Sequence, residues 1–344
     1  GILASEIAVL GERHQLLLKN NLNIHHNAWG ICEPSGQSEL TFYPLYVGRT
    51  KLILVVGGIP DLNKEAFVTA VATAVRALDE VLDYGYDTQP LDANRKCIDD
   101  WRSIGLGLFG VADALIAMKL KYGSDRANQF VADVMKTMLI NAARTSSELA
   151  KEKGSYPDFS GSKWSKGIFP QDHANEDVLK LTYSHLDDDM HEKWTKLRKN
   201  VIENGIRNGY LMAIAPTSSI SILVGTTQAI EPVYKKKWFE ENLSGLIPVV
   251  VPNLSTETYQ YYVSAYDVDQ LDIIRAAAIR QKWIDQGQST NIFINPEVTS
   301  GKRLNDIYMM AWRLGNKSTY YLRSRSPENK TDVEDRSMEC SGCQ

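Results

Sequence analysis

An α/β fold with a mainly parallel sheet or barrel is the fold class that the sequence predicts. Three observations lead to this prediction. Apolar residues recur at helical spacing in several long segments, short apolar runs separate those segments between about residues 54 and 322, and one such run ends in a proline followed by hydroxyl residues. Alternating helices and short strands indicate a parallel sheet, because each parallel connection needs a crossover that is usually a helix.

The composition is that of a globular protein. With 344 residues, of which 43% are hydrophobic and 23% charged, the chain can form one large domain or two smaller ones. The formal net charge of -4 argues against general nucleic-acid binding. No apolar run approaches the roughly 20 residues that cross a bilayer, and the first residues lack the pattern of a signal peptide. We therefore expect a cytoplasmic protein with neither a nucleic-acid nor a membrane partner.

The first 53 residues are atypical, and we assign residues 1–53 to a separate junction segment. Residues 6–18 have the pattern of a helix, and residues 40–47 and 51–56 have the pattern of strands. Residues 61–83 are predicted to form a strong amphipathic helix, because apolar side chains recur at helical spacing. These side chains are Phe67, Val71, Ala74, Val75, Leu78 and Val81.

Helices and irregular segments alternate through the middle of the chain. Residues 104–115 join a glycine-bearing turn to a helix, and their sequence IGLGLFGVADAL only weakly resembles a dinucleotide-binding motif. We favour close packing of the backbone through these glycines. Residues 126–153 and 194–204 are predicted helices that each end before a glycine, whereas residues 155–172 and 186–192 are predicted loops.

The last third of the chain contains two further helices, two strands and a tail. Helices are predicted over residues 269–286 and 304–314, and strands over residues 289–294 and 318–322. From residue 324 onward the composition is charged, with little to bury. We therefore predict a flexible tail over residues 324–344.

Pro216, Thr217, Ser218 and Ser219 follow an apolar run that suits a buried strand. Hydroxyl groups and unpaired backbone N–H groups at such a strand-to-helix junction form a possible phosphate site. The alternative is a Ser or Thr helix cap after a core strand. The residues alone favour the cap.

Two short motifs near the end of the chain point to redox chemistry. Cys340 and Cys343 can close a small disulfide that exchanges readily, although a metal site completed by Cys32 and Cys97 is an alternative. Tyr320 and Tyr321 lie on a predicted strand, where adjacent side chains alternate and one normally faces inward. Adjacent tyrosines can relay an electron with a proton, but core and rim packing is the commoner role of such a pair.

Several of these motifs together resemble the carboxyl-terminal half of the large (alpha) subunit of ribonucleotide reductase. The resemblance covers roughly three quarters of the chain, and the order and spacing of the motifs make it specific. The matching stretches are IGLGLFGVAD (104–113), ELAKEKG (148–154), GIRN (205–208), APTSSIS (215–221), IEP (230–232), WIDQGQS (283–289) and TYYLR (319–323).

The resemblance implies a ten-stranded α/β barrel, of which residues 54–323 supply the later half. It implies that Pro216, Thr217, Ser218, Ser219 and Ile220 bind the substrate's phosphates. The Tyr320 and Tyr321 pair then relays a radical that a separate dimetal small (beta) subunit supplies. Cys340 and Cys343 re-reduce the active site and are reduced in turn by thioredoxin or glutaredoxin. The substrates expected are ribonucleoside diphosphates, and no metal or cofactor is expected on this chain.

The amino-terminal part departs from the family pattern. The family carries Asn-x-Cys-x-Glu at the radical cysteine, where this chain has Ile2, Ala4 and Glu6, so that only the glutamate is kept. Cys32 is a candidate for one of the two barrel cysteines that form a disulfide during turnover.

We therefore predict a split large subunit whose missing half is an amino-terminal partner fragment. One alternative is an inactive, reductase-like remnant that binds nucleotides or reductase subunits and regulates them. A cobalamin-dependent reductase is a second alternative, which does not need Tyr320 and Tyr321.

Overall fold

The computed structural model describes residues 42–47, 51–56, 64–174, 176–181, 188–223, 225–242, 245–251 and 254–325. Helices dominate these residues, and strands are short. The α-helices are α1 (Lys64–Gly85), α2 (Asp92–Trp101), α3 (Val111–Ala117), α4 (Asp125–Lys153), α5 (Glu176–Leu181), α6 (Asp188–Asn204), α7 (Ser218–Leu223), α8 (Gln270–Gln281) and α9 (Gly301–Arg313). The strands are β1 (Phe42–Val47), β2 (Lys51–Val56), β3 (Lys237–Asn242), β4 (Gly245–Val250), β5 (Ile292–Ile294) and β6 (Leu322–Ser324).

The long helices agree with their periodicity in the sequence. Helix α1 covers most of the predicted residues 61–83, and α4 begins one residue before the predicted start at residue 126. Ser124 caps α4 by accepting a hydrogen bond from the backbone N–H of Ala127. Together α1 and α4 supply many of the side chains in the largest cluster of buried residues. None of the described helices is both long enough and apolar enough to cross a bilayer.

Four chain segments run parallel to one another and form the centre of the fold. Residues 104–108 pair with residues 211–214 through a parallel bridge between Leu106 and Met212. Residues 211–214 pair in turn with the segment that begins at residue 286, through a bridge between Ile214 and Gln288. That segment continues into β5, which pairs in parallel with β6. Helices connect the successive segments, so the predicted parallel arrangement is confirmed here, while a ten-stranded barrel remains a prediction.

The glycine-bearing turn packs closely, as the sequence predicts. A Cβ atom at Gly107 would lie closer than 3.0 Å to the backbone carbonyl oxygen of Ala213 in the neighbouring parallel segment. Gly110 has a φ of 78°, and a Cβ atom there would lie 2.6 Å from Oγ1 of Thr226. Both positions therefore need glycine, which agrees with the close backbone packing that the sequence analysis favoured.

Three sequence predictions are wrong in part. The strand predicted over residues 318–322 is β6, so Tyr320 and Tyr321 precede the strand. The loop predicted over residues 186–192 is helical from Asp188, where α6 begins. Helix α8 ends at Gln281 rather than at residue 286. The antiparallel pair of β3 and β4 and the helix α2 were not predicted.

Candidate functional site

The turn at Pro216 and Thr217 lies at the carboxyl end of the parallel segment 211–214. Thr217 is buried and has a φ of 55°, which is uncommon for a β-branched residue. Its Oγ1 accepts a hydrogen bond of 2.7 Å from the backbone N–H of Ala229. Helix α7 begins at the exposed Ser218, and Ile220 is half-buried. The first backbone N–H groups of such a helix have no partner within the helix, so this turn offers donors beside a fixed hydroxyl.

A buried carboxylate holds the loop that faces this turn. Oδ2 of Asp113 accepts hydrogen bonds from Oγ1 of Thr226 at 2.5 Å and from the backbone N–H of Thr227 at 2.8 Å. The backbone N–H of Gly110 donates to the carbonyl oxygen of Thr227 at 2.9 Å. Burial raises the pKa of Asp113, and this increase outweighs the opposite effect of the hydrogen bonds. The loop is therefore anchored to the start of α3 before it reaches Ala229.

Glu231 and Asn291 form a second anchor. The carboxylate of Glu231 is buried and accepts from Asn291 twice, at 2.6 Å from the backbone N–H and at 2.8 Å from Nδ2. Oδ1 of Asn291 in turn accepts from the backbone N–H of Tyr321 at 3.1 Å. Burial raises the pKa of Glu231, while Asn291 and the cations of Arg280 and Arg323 act in the opposite direction. The carboxyl group thus fixes the backbone that carries Tyr321.

Tyr320 and Tyr321 are in ring contact with each other. Their ring centroids are 4.0 Å apart with an interplanar angle of 46°. The rings are 45% and 41% exposed, so the prediction that one of them faces inward is wrong. The physical reason is that the pair lies before β6, where the backbone N–H of Tyr321 donates a hydrogen bond to the side chain of Asn291 and not to a neighbouring strand. The neighbouring phenol of Tyr321 is the largest cause of a raised pKa at Tyr320.

Arg323 lies against the same tyrosine pair from the side of the core. Its guanidinium carbon is 5.3 Å from the ring centroid of Tyr321 and 5.1 Å from that of Tyr234. Tyr234 packs against Phe293, with centroids 5.3 Å apart. Burial strongly raises the pKa of Tyr234, so this phenol keeps its proton. The exposed pair is thus backed by a cation and a buried aromatic cluster.

Comparison with known proteins identifies the family of this chain. A family model described as "Ribonucleotide reductase, barrel domain" matches residues 50–322. The chain belongs to the ribonucleotide reductase family. It is 55% identical over 288 residues to the "Ribonucleoside-diphosphate reductase subunit alpha" of Helicobacter pylori strain 26695, an alignment that covers 82% of this chain and 36% of the relative.

More distant reductase subunits also match. The alpha subunit of Treponema pallidum is 38% identical over 275 residues, which cover 80% of this chain and 30% of that subunit. The "Ribonucleoside-diphosphate reductase large subunit" of Acanthamoeba polyphaga mimivirus is 27% identical over 307 residues, which cover 80% of this chain and 34% of that subunit. The chain therefore spans about a third of the length of the relatives it matches. The resemblance to the carboxyl-terminal half of the alpha subunit is confirmed.

Several predicted site residues lie outside the described residues, namely Glu6, Cys32, Cys340 and Cys343. The side chain of Ser219 also lies outside them. The remaining cysteine, Cys97, lies in α2 and is exposed. Within the described part of the chain, no group of three or more His, Cys, Asp or Glu side chains forms a possible metal site.

The structure brings the predicted phosphate turn and the predicted tyrosine pair to the two ends of one short loop. Ala229 contacts Thr217, and Glu231, two residues later, holds Asn291 and through it Tyr321. Glu231 lies in one of the motifs that carry the family resemblance (230–232), but the sequence gave no partner for it. Asn291 was not recognised, because only its position opposite both Glu231 and Tyr321 reveals its role.

Proposed function

We propose that this chain is part of a ribonucleoside-diphosphate reductase alpha subunit, which reduces ribonucleotides to deoxyribonucleotides by radical chemistry. The observation that carries the proposal is the contact of the Tyr320 and Tyr321 rings at 4.0 Å on a backbone fixed by Glu231 and Asn291. The names of the relatives support the reaction class. A ribonucleoside diphosphate and a dithiol then yield a deoxyribonucleoside diphosphate, a disulfide and water.

The tyrosine pair has the ring contact that a radical relay requires. An oxidised phenol loses an electron together with its proton, and the adjacent phenol is a short-range partner for this exchange. Their exposure leaves room for a small subunit, which we propose as the source of the radical through its dimetal centre. Arg323 lies beside Tyr321 and disfavours additional positive charge, so it favours release of the phenolic proton on oxidation.

We propose that residues 216–220 bind the diphosphate of the substrate. The positive φ of Thr217 supports this, because strained backbone conformations are found more often at ligand sites than elsewhere. The bond from Ala229 to Oγ1 of Thr217 fixes the turn while leaving Ser218 exposed. Amide N–H groups at the start of α7 then face the negative charge of the ligand.

Cys340 and Cys343 complete the proposal as the dithiol that re-reduces the active site. The electrons come from thioredoxin or glutaredoxin. Glu6 and Cys32 would contribute to the same active site from the amino-terminal part of this chain.

Reconstitution tests the proposal. The chain is mixed with an amino-terminal fragment, a small subunit, cytidine diphosphate and dithiothreitol, and the deoxycytidine diphosphate formed is measured. We expect Tyr321→Phe to abolish turnover, because a phenylalanine ring cannot be oxidised by a tyrosyl radical. Tyr308→Phe on the exposed face of α9 is the matched control and should retain full activity. Equal activity of both variants would refute the relay.

A second experiment separates the tail from the relay. Cys343→Ser should lose turnover with thioredoxin as the reductant, because the tail can then no longer pass on a pair of electrons. Turnover with dithiothreitol, which reaches the active site directly, should persist. If an assembled complex of wild-type components shows no turnover with either reductant, the inactive regulatory remnant becomes the better hypothesis.

A further inference from the structure

A pocket lies at the opposite end of the parallel segments from the Pro216 turn. It has a volume of about 530 Å³ and is lined by residues from the segment before Leu211, from the end of α8 and from the loop after α4. Tyr210 and Asp285 of its lining immediately precede two of the parallel segments. Tyr210 and Pro216 are six positions apart along an extended segment, a distance of about 20 Å at roughly 3.3 Å per residue. The pocket is therefore separate from the proposed phosphate site.

One wall of this pocket is an aromatic stack. The ring of Trp101 lies 6.2 Å from that of Tyr156 at an interplanar angle of 21°, and 6.1 Å from that of Tyr210 at 28°. The backbone N–H of Gly209 donates to the carbonyl oxygen of Trp101 at 2.8 Å, and Nε1 of Trp164 donates to the carbonyl oxygen of Gly209 at 3.0 Å. The stack is thus built into the fold, yet Trp101 and Tyr210 are 38% and 41% exposed.

The charged lining of the pocket is mainly positive. Three ammonium groups, those of Lys163, Lys282 and Lys317, belong to the lining, against Asp285 as its one acidic residue. The carboxylate of Asp285 is occupied by the backbone N–H groups of Leu211 and Met212, at 2.7 Å each. Lys317 donates to the carbonyl oxygens of Ile284 and Asp285. The described lining residues therefore carry three ammonium groups against one carboxylate.

The lysines are also partly dehydrated. Burial lowers the pKa of Lys282 to about 8, with a smaller contribution in the same direction from Lys136. Burial also lowers the pKa of Lys317; the charge of Asp285 acts in the opposite direction, and the nearby charge of Lys163 makes a smaller contribution that lowers the pKa. Cations that are close together and poorly solvated gain free energy when an anion approaches. A flat aromatic wall beside such cations suits a ligand that combines a ring with a negative charge.

We propose that this pocket is a binding site for a small planar aromatic molecule that carries an anionic group. The ring packs on Trp101 and Tyr210, and the anion contacts the ammonium groups of Lys163 and Lys317. A nucleotide and an aromatic carboxylate share this chemistry. The site does not overlap with residues 216–220.

Calorimetric titration of the full chain tests the proposal with two probes, AMP and indole-3-acetate. We expect at least one of them to bind at a single site, while adenosine and inorganic phosphate, which each supply half of the chemistry, bind more weakly. Trp101→Leu and Lys163→Met should each weaken binding about tenfold or more, because each removes one recognised group. Lys302→Met, an exposed lysine of α9, is the matched control and should leave the affinity unchanged.

Two further outcomes decide against the proposal. Absence of binding by both probes would overturn it, as would binding that Trp101→Leu and Lys163→Met leave unchanged while their circular dichroism remains native. AMP could also occupy the Pro216 turn, so Thr217→Val is titrated in parallel. Loss of AMP binding in Thr217→Val alone would assign AMP to that turn, and the proposal would then depend on indole-3-acetate.

Discussion

Replacing Glu231 by alanine tests whether this buried carboxylate organises the site. Its two oxygens accept from the backbone N–H and Nδ2 of Asn291 at 2.6 and 2.8 Å. Each buried donor left without an acceptor costs about 1–3 kcal/mol. Removal of a carboxyl group whose pKa is raised by burial offsets part of this loss. We therefore expect Glu231→Ala to lower the free energy of unfolding by about 2–4 kcal/mol.

Urea unfolding followed by circular dichroism measures this change. Glu297→Ala is the matched control, because Glu297 is exposed, and its substitution should change the free energy of unfolding by less than about 0.5 kcal/mol. Glu231→Gln keeps one acceptor but places an amide donor against Nδ2 of Asn291, so it should fall between the two. A loss below about 1 kcal/mol for Glu231→Ala would show that Asn291 finds other partners and that Glu231 does not organise the site.

Three other substitutions follow from particular contacts. Gly107→Ala should destabilise the chain by about 2 kcal/mol in the same urea assay, because its Cβ would meet a backbone oxygen. Gly161→Ala is the control and should be nearly neutral, because nothing lies within 4 Å of the new Cβ. Equal effects of the two substitutions would contradict this reasoning. Burial raises the pKa of Asp285 to about 6 from 3.8, because the folded protein favours the neutral carboxyl group. Its contribution to the stability of the fold is therefore fully present below about pH 4 and is lost as the pH rises through 6. Between pH 4 and 7 the free energy of unfolding of the wild type should therefore fall by up to about 3 kcal/mol relative to that of Asp285→Asn. Parallel pH profiles of the two proteins would argue against burial as the cause. Thr217→Val removes the acceptor for the backbone N–H of Ala229 and should raise the KM for cytidine diphosphate about tenfold in the reconstituted reductase, whereas an unchanged KM would exclude the turn from substrate binding.

The helices could be predicted from the sequence because their signals are local. The recurrence of Phe67, Val71, Leu78 and other apolar residues specifies the buried face of α1 without reference to the rest of the chain. Helix α2 was missed because few of its residues are apolar, Ile98 being its one buried residue.

The site geometry depends on contacts between distant segments, and those contacts leave little trace in the sequence. The motifs at Pro216 and at Tyr320 were visible, but their connection was not. It runs through Glu231 and Asn291, which are 60 residues apart in the chain. The lining of the aromatic pocket likewise comes from separate segments, so that no local pattern marks Trp101, Lys163 and Lys317 as neighbours.

The loop between the two anchors imposes a constraint on chain length. A single residue, Ile230, separates Ala229, which bonds to Thr217, from Glu231, which bonds to Asn291. One inserted residue would displace Glu231 by about 3 Å, roughly six times the spread of a good hydrogen-bond distance. Most loops lie at the surface and accept insertions and deletions, but residues 229–231 are buried and should not. Variation in length among functional relatives should therefore fall on either side of residues 229–231.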